Sequence, residues 1–496
     1  MKANVISDKM ALSKKQLVVG IVSLLYWFAT FFMERLVFVP DAARSRVFTY
    51  VVIKLLTLLT IYCLLMFFVN ALSGWKSRSP EAETLKYTLP PFVLVTAFWL
   101  YCHAWPLSYG DQLNIINAAY NYNNFGGFFN YLTTYVFMIG MNLFPSGAFS
   151  VAFKIFLVSL GAGYCIYRLR KLNGGWLPFL IYGPFLVPPG LYLSYTVHRI
   201  PIYAVLYLAF SCLIICDHLE GKSLGRGKFV LLSFVIAMLT QWRSEGIYLL
   251  VLGPVLLYVC YKPKLSTRAK ALALAVMMAA QVLVAVPQKL ETSGETGSRA
   301  MPFFEYVITS MERKGLDKEK NAEDLALVDK YISLDGIHEL NEKYGDGNYG
   351  DNAIRFMSDA VNENASAEEQ ADFRSAVIRL IIKNPWVYLK SQLGAWHSIS
   401  VGVSAERKLD VIANVFTDLY VPTIILLAFW LWTMLKKKWC LWWLTSCHLG
   451  HMVITTALLP AAYFKYYYQQ YLFAVLVAVL VLQLCLKHRN KKRIKE

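Results

Sequence analysis

The chain alternates long apolar runs with short polar segments, a pattern that predicts an all-helical membrane protein. A helix that crosses the hydrocarbon core needs about 20 apolar residues. Twelve runs approach that length, at residues 16–33, 48–71, 90–108, 145–167, 176–195, 200–216, 228–241, 246–261, 270–287, 416–435, 439–460 and 468–486. We therefore predict an all-α polytopic membrane fold with about 12 transmembrane helices.

Charge separates one segment from this apolar body. The chain is 57% hydrophobic and only 16% charged, whereas soluble domains carry about 25% charged residues. Residues 288–410 hold 21 of the 32 Asp and Glu residues but 15 of the 49 Lys and Arg residues. We therefore predict one acidic, mostly helical soluble insertion in a basic membrane body. The composition excludes a soluble enzyme, and the basic pI of about 9.3 is no argument for nucleic-acid binding.

Lys and Arg are enriched in cytoplasmic loops, so their distribution predicts orientation. In a twelve-span arrangement, six basic segments fall on the side of the N-terminus: residues 76–86, 168–171, 222–228, 262–270, 436–438 and 487–495. Both termini are therefore predicted to be cytoplasmic in a multi-pass cell-membrane protein. The insertion, residues 288–415, then lies on the exoplasmic side.

These patterns divide the chain into five parts. The predicted parts are a cytoplasmic tail with a two-span hairpin (1–89), a transmembrane core (90–287) with an exoplasmic loop (109–144), the exoplasmic insertion (288–415), the last three transmembrane helices (416–486) and a basic cytoplasmic tail (487–496).

The exoplasmic loop 109–144 contains one acidic residue, Asp111, ahead of an uncharged aromatic stretch. Aromatic residues favour the membrane surface, so the loop is predicted to form one or two interfacial helices. A carboxylate there can act as general base for an acceptor hydroxyl. The structural alternative is a helix N-cap.

Three further exoplasmic sites place cations at the ends of spans, where an Arg is costly. Arg and Lys at such positions can bind a phosphate. The alternatives are snorkelling at the interface and a purely structural Arg243–Glu245 pair. The candidate phosphate-binding residues are Arg199, Arg243 and Lys465, with Glu245, His198, Gln112, Tyr466 and Tyr467 in support.

The sequence contains no recognisable motif for binding a metal or a nucleotide. The sequence lacks HExxH, CxxC and Walker patterns, whose ligand spacings would predict such sites. No metal ligand is therefore predicted, although a divalent cation stays open as a cofactor. The absence of a nucleotide motif fits a lipid-linked substrate.

The layout resembles the GT-C superfamily of integral-membrane glycosyltransferases, especially its protein O-mannosyltransferase and aminoarabinose-transferase branches. Asp111 matches the position of the loop acid in that family. Residues 242–246, Trp-Arg-Ser-Glu-Gly, are similar to an Arg-Pro-Glu-Gly-type turn, and Lys465-Tyr466-Tyr467 is similar to a basic-aromatic entry into a late span. Residues 301–396 also resemble a bacterial group of unassigned membrane proteins with a GT-C-like layout. Two departures are Gln112 in place of a second acid and the extra hairpin 16–71.

The resemblance implies an inverting glycosyltransferase that moves a sugar from a polyprenyl-phosphate donor to an exoplasmic glycan, lipid or protein acceptor. It implies Asp111 as general base, Arg199, Arg243 and Lys465 on the donor phosphate, and Glu245 orienting Arg243. Two alternatives stay open. One is a polysaccharide polymerase or ligase with a lipid-diphosphate donor, and the other is a 12-span transporter or flippase.

Overall fold

A computed structural model describes residues 2–102, 110–123, 131–261, 266–291, 301–344, 360–362, 364–401, 416–458 and 463–493. Within these ranges the structure is 85% helical, and an isolated bridge between Ile332 and Val361 is its sole β-type pairing. The predicted all-α fold is confirmed.

The described residues contain 21 α-helices, numbered α1 to α21 in chain order. The first thirteen are α1 Lys2–Met33, α2 Ala42–Ser45, α3 Val47–Ser73, α4 Pro80–Tyr101, α5 Gly110–Tyr120, α6 Tyr131–Leu143, α7 Gly147–Asn173, α8 Gly183–Leu186, α9 Pro188–Tyr195, α10 Ile200–Leu219, α11 Arg226–Trp242, α12 Leu249–Tyr261 and α13 Thr267–Glu291. The remaining eight are α14 Met301–Arg313, α15 Ala322–Asp329, α16 Leu334–Tyr344, α17 Ala367–Lys383, α18 Pro385–Val401, α19 Tyr420–Leu435, α20 Trp439–Ala457 and α21 Tyr468–Arg493.

Six helices in the described ranges are long and apolar enough to cross a membrane, as expected of a multi-pass membrane protein. They are Lys14–Leu36, Val47–Ser73, Gly147–Asn173, Ile200–Leu219, Thr267–Pro287 and Phe464–Lys487. A seventh span would be the pair Leu177–Leu186 and Pro188–Tyr195, which is bent by 69°. Prolines lack the N–H that continues a helix, and the Pro188-Pro189 pair at this break explains the bend.

The remaining predicted spans coincide with helices that are shorter or less apolar. Helix α11 has 17 residues, which gives about 26 Å at 1.5 Å per residue, less than the hydrocarbon thickness of about 30 Å. Helix α4 begins with the polar sequence Pro-Glu-Ala-Glu-Thr-Leu-Lys. The prediction of twelve spans therefore stays a prediction.

The chain forms two compact units. The first comprises Met1–Leu186, Gly190–Glu291 and Val475–Glu496, and the second comprises Val187–Pro189 and Thr292–Ala474. In the first unit, α7 packs against α4, α6 and α10. Gly163 allows the close approach of α4, since a Cβ there would lie 2.7 Å from the backbone nitrogen of Thr88. Small residues serve this purpose in membrane bundles.

Helices α5 and α6 occupy the loop that was predicted to hold interfacial helices. Helix α6 differs from a surface helix because ten of its residues are buried, among them Tyr131, Phe137 and Asn142. It contacts α3, α5 and α7. A helix that is buried on most sides is a packed element of the first unit, and its aromatic residues are therefore core residues.

The second unit contains most of the acidic insertion, where α14, α15 and α17 are among the helices. Their apolar faces share a core that includes Val307, Ile308, Phe373 and Val377. Helix α17 begins with a capping box, in which Ser366 and Glu369 bind each other's backbone N–H groups. Such a cap satisfies donors that the first helical turn leaves open. The segment between α18 and α19, residues 402–415, lies outside the described residues.

Candidate functional site

The turn between α11 and α12 carries two of the predicted site residues, Arg243 and Glu245. Helix α11 ends at Trp242, Arg243 is extended (φ −137°, ψ 140°) and residues Ser244–Tyr248 form a 3-10 helix. Gly246 makes this sharp turn possible, because a Cβ there would lie 2.3 Å from the carbonyl oxygen of Leu239. The glycine of the Arg-Ser-Glu-Gly sequence is therefore required for steric reasons.

Arg243 and Glu245 form a bidentate ion pair. Arg243 Nη2 lies 2.5 Å from Glu245 Oε1, and Arg243 Nε lies 3.1 Å from Glu245 Oε2. The side chains are only 4% and 13% exposed. Paired N–H···O bonds fix the guanidinium plane, so Glu245 holds Arg243 in one orientation.

Aromatic residues of α10 line the same turn. The Arg243 guanidinium carbon lies 5.9 Å from the centre of the Tyr203 ring, and the Tyr207 and Tyr248 hydroxyls are 2.9 Å apart. Arg199, half-buried, is the N-cap of α10 and precedes Tyr203 by one helical turn, a spacing that places two residues on one helix face. The structure therefore brings Arg199, with its neighbour His198, to the end of α10 that faces Arg243.

A groove of about 570 Å³ in the first unit ends at this turn. Its wall is almost wholly apolar and includes Leu160, Ile202, Leu206 and Trp242. Trp242 is 3% exposed, and its Nε1–H has no hydrogen-bond partner in the described structure. A buried N–H without a partner is costly, and ligand pockets combine apolar walls with a few such polar groups. Trp242 is therefore a candidate that the sequence analysis did not single out.

Asp111 and Gln112 belong to the first turn of α5. The side chain of Asp111 lies outside the described residues, so its predicted role stays a prediction. Gln112 is buried, and its Nε2 lies 3.4 Å from the Tyr192 hydroxyl in α9. Its Oε1 has no hydrogen-bond partner within the described ranges. This contact places the start of α5 beside the C-terminal half of α9, which is separated from His198 by two residues.

Lys465, Tyr466 and Tyr467 lie in the second unit. The Lys465 ammonium lies 4.5 Å from the Tyr463 ring centre and 5.5 Å from that of Tyr466. The Tyr467 hydroxyl is 2.9 Å from Thr456 Oγ1, and both tyrosines belong to a buried apolar cluster. The structure shows these local contacts, while a phosphate shared by Lys465 and Arg243 stays a prediction.

Two buried lysines in the apolar helices have partners that the sequence did not indicate. Lys54 Nζ lies 2.8 Å from Glu34 and 2.9 Å from Asn142 Oδ1. Lys154 is fully buried, and its Nζ donates to the carbonyl oxygens of Leu193, at 3.0 Å, and Thr196. These carbonyls end α9, where a helix has unpaired acceptors and a cation is favourable.

A third buried charge, Asp217, accepts hydrogen bonds from side chains of three other helices. Its carboxylate lies 3.1 Å from Arg168 Nη2, 2.7 Å from Lys228 Nζ and 2.8 Å from the Tyr261 hydroxyl. The sequence shows Asp217 as a charged residue at the end of an apolar run. It does not show the partners, because they are 11 to 49 residues away. Only the packing of α7, α10, α11 and α12 brings them together.

Comparison with known proteins gives no match to any protein family, curated protein or solved structure. In the described structure no group of three or more His, Cys, Asp and Glu side chains is placed to hold a metal ion.

Proposed function

We propose that this protein is a membrane glycosyltransferase with a GT-C-like arrangement of about 12 spans, cytoplasmic termini and residues 288–415 on the exoplasmic side. It transfers a sugar from a polyprenyl-phosphate donor to an exoplasmic glycan, lipid or protein acceptor. The apolar helices supply the bilayer contact that such a donor requires.

One observation carries the proposal. Trp242 lines the apolar groove, has a buried Nε1–H with no partner among the described residues, and directly precedes Arg243 of the buried Arg243–Glu245 pair. A polyprenyl phosphate matches this arrangement, because it has a long apolar chain with a phosphate at its end. The chain would lie in the groove, Trp242 would donate to a phosphate oxygen, and Arg243 would offset its charge.

The chemical step follows from the predicted residues. Asp111 accepts the proton of the acceptor hydroxyl, whose oxygen forms a bond to the anomeric carbon. The bond between that carbon and the phosphate oxygen breaks, and the configuration inverts. Arg199, Arg243 and Lys465 stabilise the negative charge on the leaving phosphate, where fixed cations have their largest effect on the barrier.

Donor binding is tested with polyprenyl phosphate itself, measured by native mass spectrometry on the purified full chain. Trp242→Phe keeps the apolar ring volume and removes the N–H, and we expect a 5- to 10-fold weaker affinity, which corresponds to one hydrogen bond of about 1–1.5 kcal/mol. Trp99→Phe, which removes a buried indole N–H outside this groove, is the control. Unchanged affinity in Trp242→Phe would remove the groove from the donor site.

Chemistry is tested separately with Asp111→Asn and a panel of polyprenyl-phosphate sugars. General-base catalysis contributes about 10²–10⁴-fold, so we expect turnover to fall by that factor while polyprenyl-phosphate affinity stays within twofold. Wild-type turnover in this variant would exclude Asp111 from the mechanism. A donor panel that includes lipid diphosphates also distinguishes the polymerase or ligase alternative.

A transporter or flippase is a second candidate, because Lys54 and Glu34 form a buried pair inside the apolar helices. Intramembrane ionisable residues often mark a transport path. Lys54, however, is also bonded to Asn142 and Thr30, as a fixed structural group would be. Reconstituted vesicles decide between the two: movement of polyprenyl phosphate between leaflets that Lys54→Met abolishes, without sugar transfer, would favour transport.

A further inference from the structure

A second and larger groove lies between three helices of the first unit. It has a volume of about 630 Å³ and is lined by α11, α12 and α13, with Phe229, Leu257, Ala273 and Met277 among its apolar residues. Pro254 of α12 also lines it, and a proline inside a helix removes one backbone hydrogen bond and disturbs packing against neighbours. This groove is separate from the one that ends at Trp242.

The polar part of the groove is cationic. Arg226 and Lys270 line it and are exposed. Lys270 Nζ lies 5.8 Å from the Tyr258 ring centre, and neither cation forms an ion pair with a described residue. Arg226 begins α11 and Lys270 lies in the first turn of α13. Cations are unfavourable at helix N-termini, so helix stability does not explain why both stand there.

A bound anion would offset the unfavourable positive charge at these two helix N-termini. Two cations and two helix N-termini at one end of the groove favour negative charge, and a phosphate group suits such a position. The rest of the wall is apolar and continues into the exposed face of α13, where Leu272 is 67% and Leu274 54% exposed. Since α13 is one of the candidate spans, this face meets acyl chains in a bilayer.

We propose that the α11–α13 groove binds an anionic phospholipid of the surrounding leaflet, with its phosphate between Arg226 and Lys270 and one acyl chain along Ala273 and Met277. A free anion would leave the apolar wall uncovered, and a neutral lipid would leave both cations without a counter-charge. The proposal is independent of the glycosyltransferase function, because it uses neither Asp111 nor the Arg243 turn.

The test compares retention of phosphatidylglycerol and phosphatidylcholine with identical chains, by native mass spectrometry of the full chain. We expect the wild type to retain phosphatidylglycerol preferentially. Each basic residue near a membrane surface contributes about fivefold in anionic-lipid affinity. The double variant Arg226→Ala/Lys270→Ala should therefore lose about 25-fold in phosphatidylglycerol affinity, with phosphatidylcholine unchanged. Lys436→Ala/Lys438→Ala removes two exposed cations elsewhere and should change neither lipid.

Ala273→Trp fills the apolar part of the groove and keeps both cations, so it should lower the retention of both lipids. If this variant does not fold, Ala273→Leu replaces it with the same expected direction. Equal losses in the Arg226/Lys270 and Lys436/Lys438 variants would overturn the site, because they would indicate a general charge effect. A dimer that Ala273→Trp dissociates would also overturn it, because the occupant would then be a second copy of the chain.

Discussion

Two buried charge clusters in the first unit differ in what they connect. Arg243 pairs with Glu245, two residues away. Asp217 binds partners 49, 11 and 44 residues away, which are Arg168, Lys228 and Tyr261. The hydrogen bonds of the first pair lie within one turn, beside Tyr203 of α10, while the second cluster fastens α7, α11 and α12 to α10. Both are buried, so burial alone does not distinguish a functional charge from a structural one.

The two clusters differ in how far apart along the chain their paired residues lie. Burial of charges costs several kcal/mol per ion, and a cluster that joins several helices offsets this cost by fixing the packing. The Arg243–Glu245 hydrogen bonds lie within one turn. They fix the orientation of the Arg243 guanidinium, which a donor phosphate would use.

The largest expected effect is on stability. Asp217→Asn removes the carboxylate from Lys228 and leaves Arg168 with Glu220 as its remaining acidic partner. Breaking one partner of a buried ion pair costs about 3–5 kcal/mol, so we expect a large fall in the unfolding temperature of the detergent-solubilised protein. Lys222→Ala, which removes an exposed partner of Glu220, is the control and should cost at most ~1 kcal/mol. Equal stability of the two variants would contradict the structural role of Asp217.

Arg243 should show the opposite behaviour. Arg243→Gln removes the fixed cation, and we expect sugar transfer to fall by about 10²–10³-fold, the usual effect of losing one group that stabilises developing charge. It also removes the Arg243 guanidinium from its ion pair with Glu245. The double variant Arg243→Gln/Glu245→Gln restores a neutral pair, so it should regain unfolding temperature without regaining transfer. Recovery of both properties together would show that Arg243 is only structural.

The insertion contains a third cluster, in which Asp324 binds Arg379 Nε and Lys383 Nζ, each at 2.7 Å. Burial alone would raise the Asp324 pKa, but hydrogen bonds from Lys383 and Arg379 lower it below its ordinary value of 3.8. A lowered folded-state pKa stabilises the fold above the unfolded-state pKa, and this stability disappears as pH falls through the folded-state value.

We therefore expect the protection of α15 and α17 against hydrogen exchange, measured relative to the intrinsic exchange rate at each pH, to decrease below about pH 4, where an unfolded Asp titrates. Asp324→Asn should lose roughly 1.5–3 kcal/mol at pH 7, the usual contribution of hydrogen bonds to a charged group. It should also show a flatter pH dependence between pH 4 and pH 3 than the wild type. An identical pH profile in both proteins would exclude Asp324 as the titrating group.

The smallest effect concerns the turn itself. Gly246→Ala would place a Cβ against the Leu239 carbonyl oxygen, and such overpacking costs about 1–3 kcal/mol. Because the turn must shift, polyprenyl-phosphate affinity should also fall. Gly227→Ala, at the other end of α11, meets no atom within 4 Å and should be neutral or stabilising, since Ala favours helices. If both variants behave alike, the close approach at Gly246 is not what shapes the turn.

Much of the fold could be predicted from local patterns. The apolar runs marked the helices because each run is contiguous in sequence, and the acid-rich segment marked the helical insertion for the same reason. The Arg243–Glu245 pair was also predictable, since its members are two residues apart. The burial of α6 could not be predicted in this way. Its aromatic composition is shared by surface helices and buried ones, and only its contacts with α3, α5 and α7 distinguish them.

The sequence by itself determined that this protein is helical, apolar enough for a membrane and supplied with a compact Arg-Ser-Glu-Gly turn. These properties depend on residues close together along the chain. The tertiary structure alone decided that Trp242 closes an apolar groove, that Asp217 joins four helices and that Arg226 and Lys270 line one groove. Such groups meet through the packing of distant helices, and that packing depends on side-chain shapes that no local pattern records.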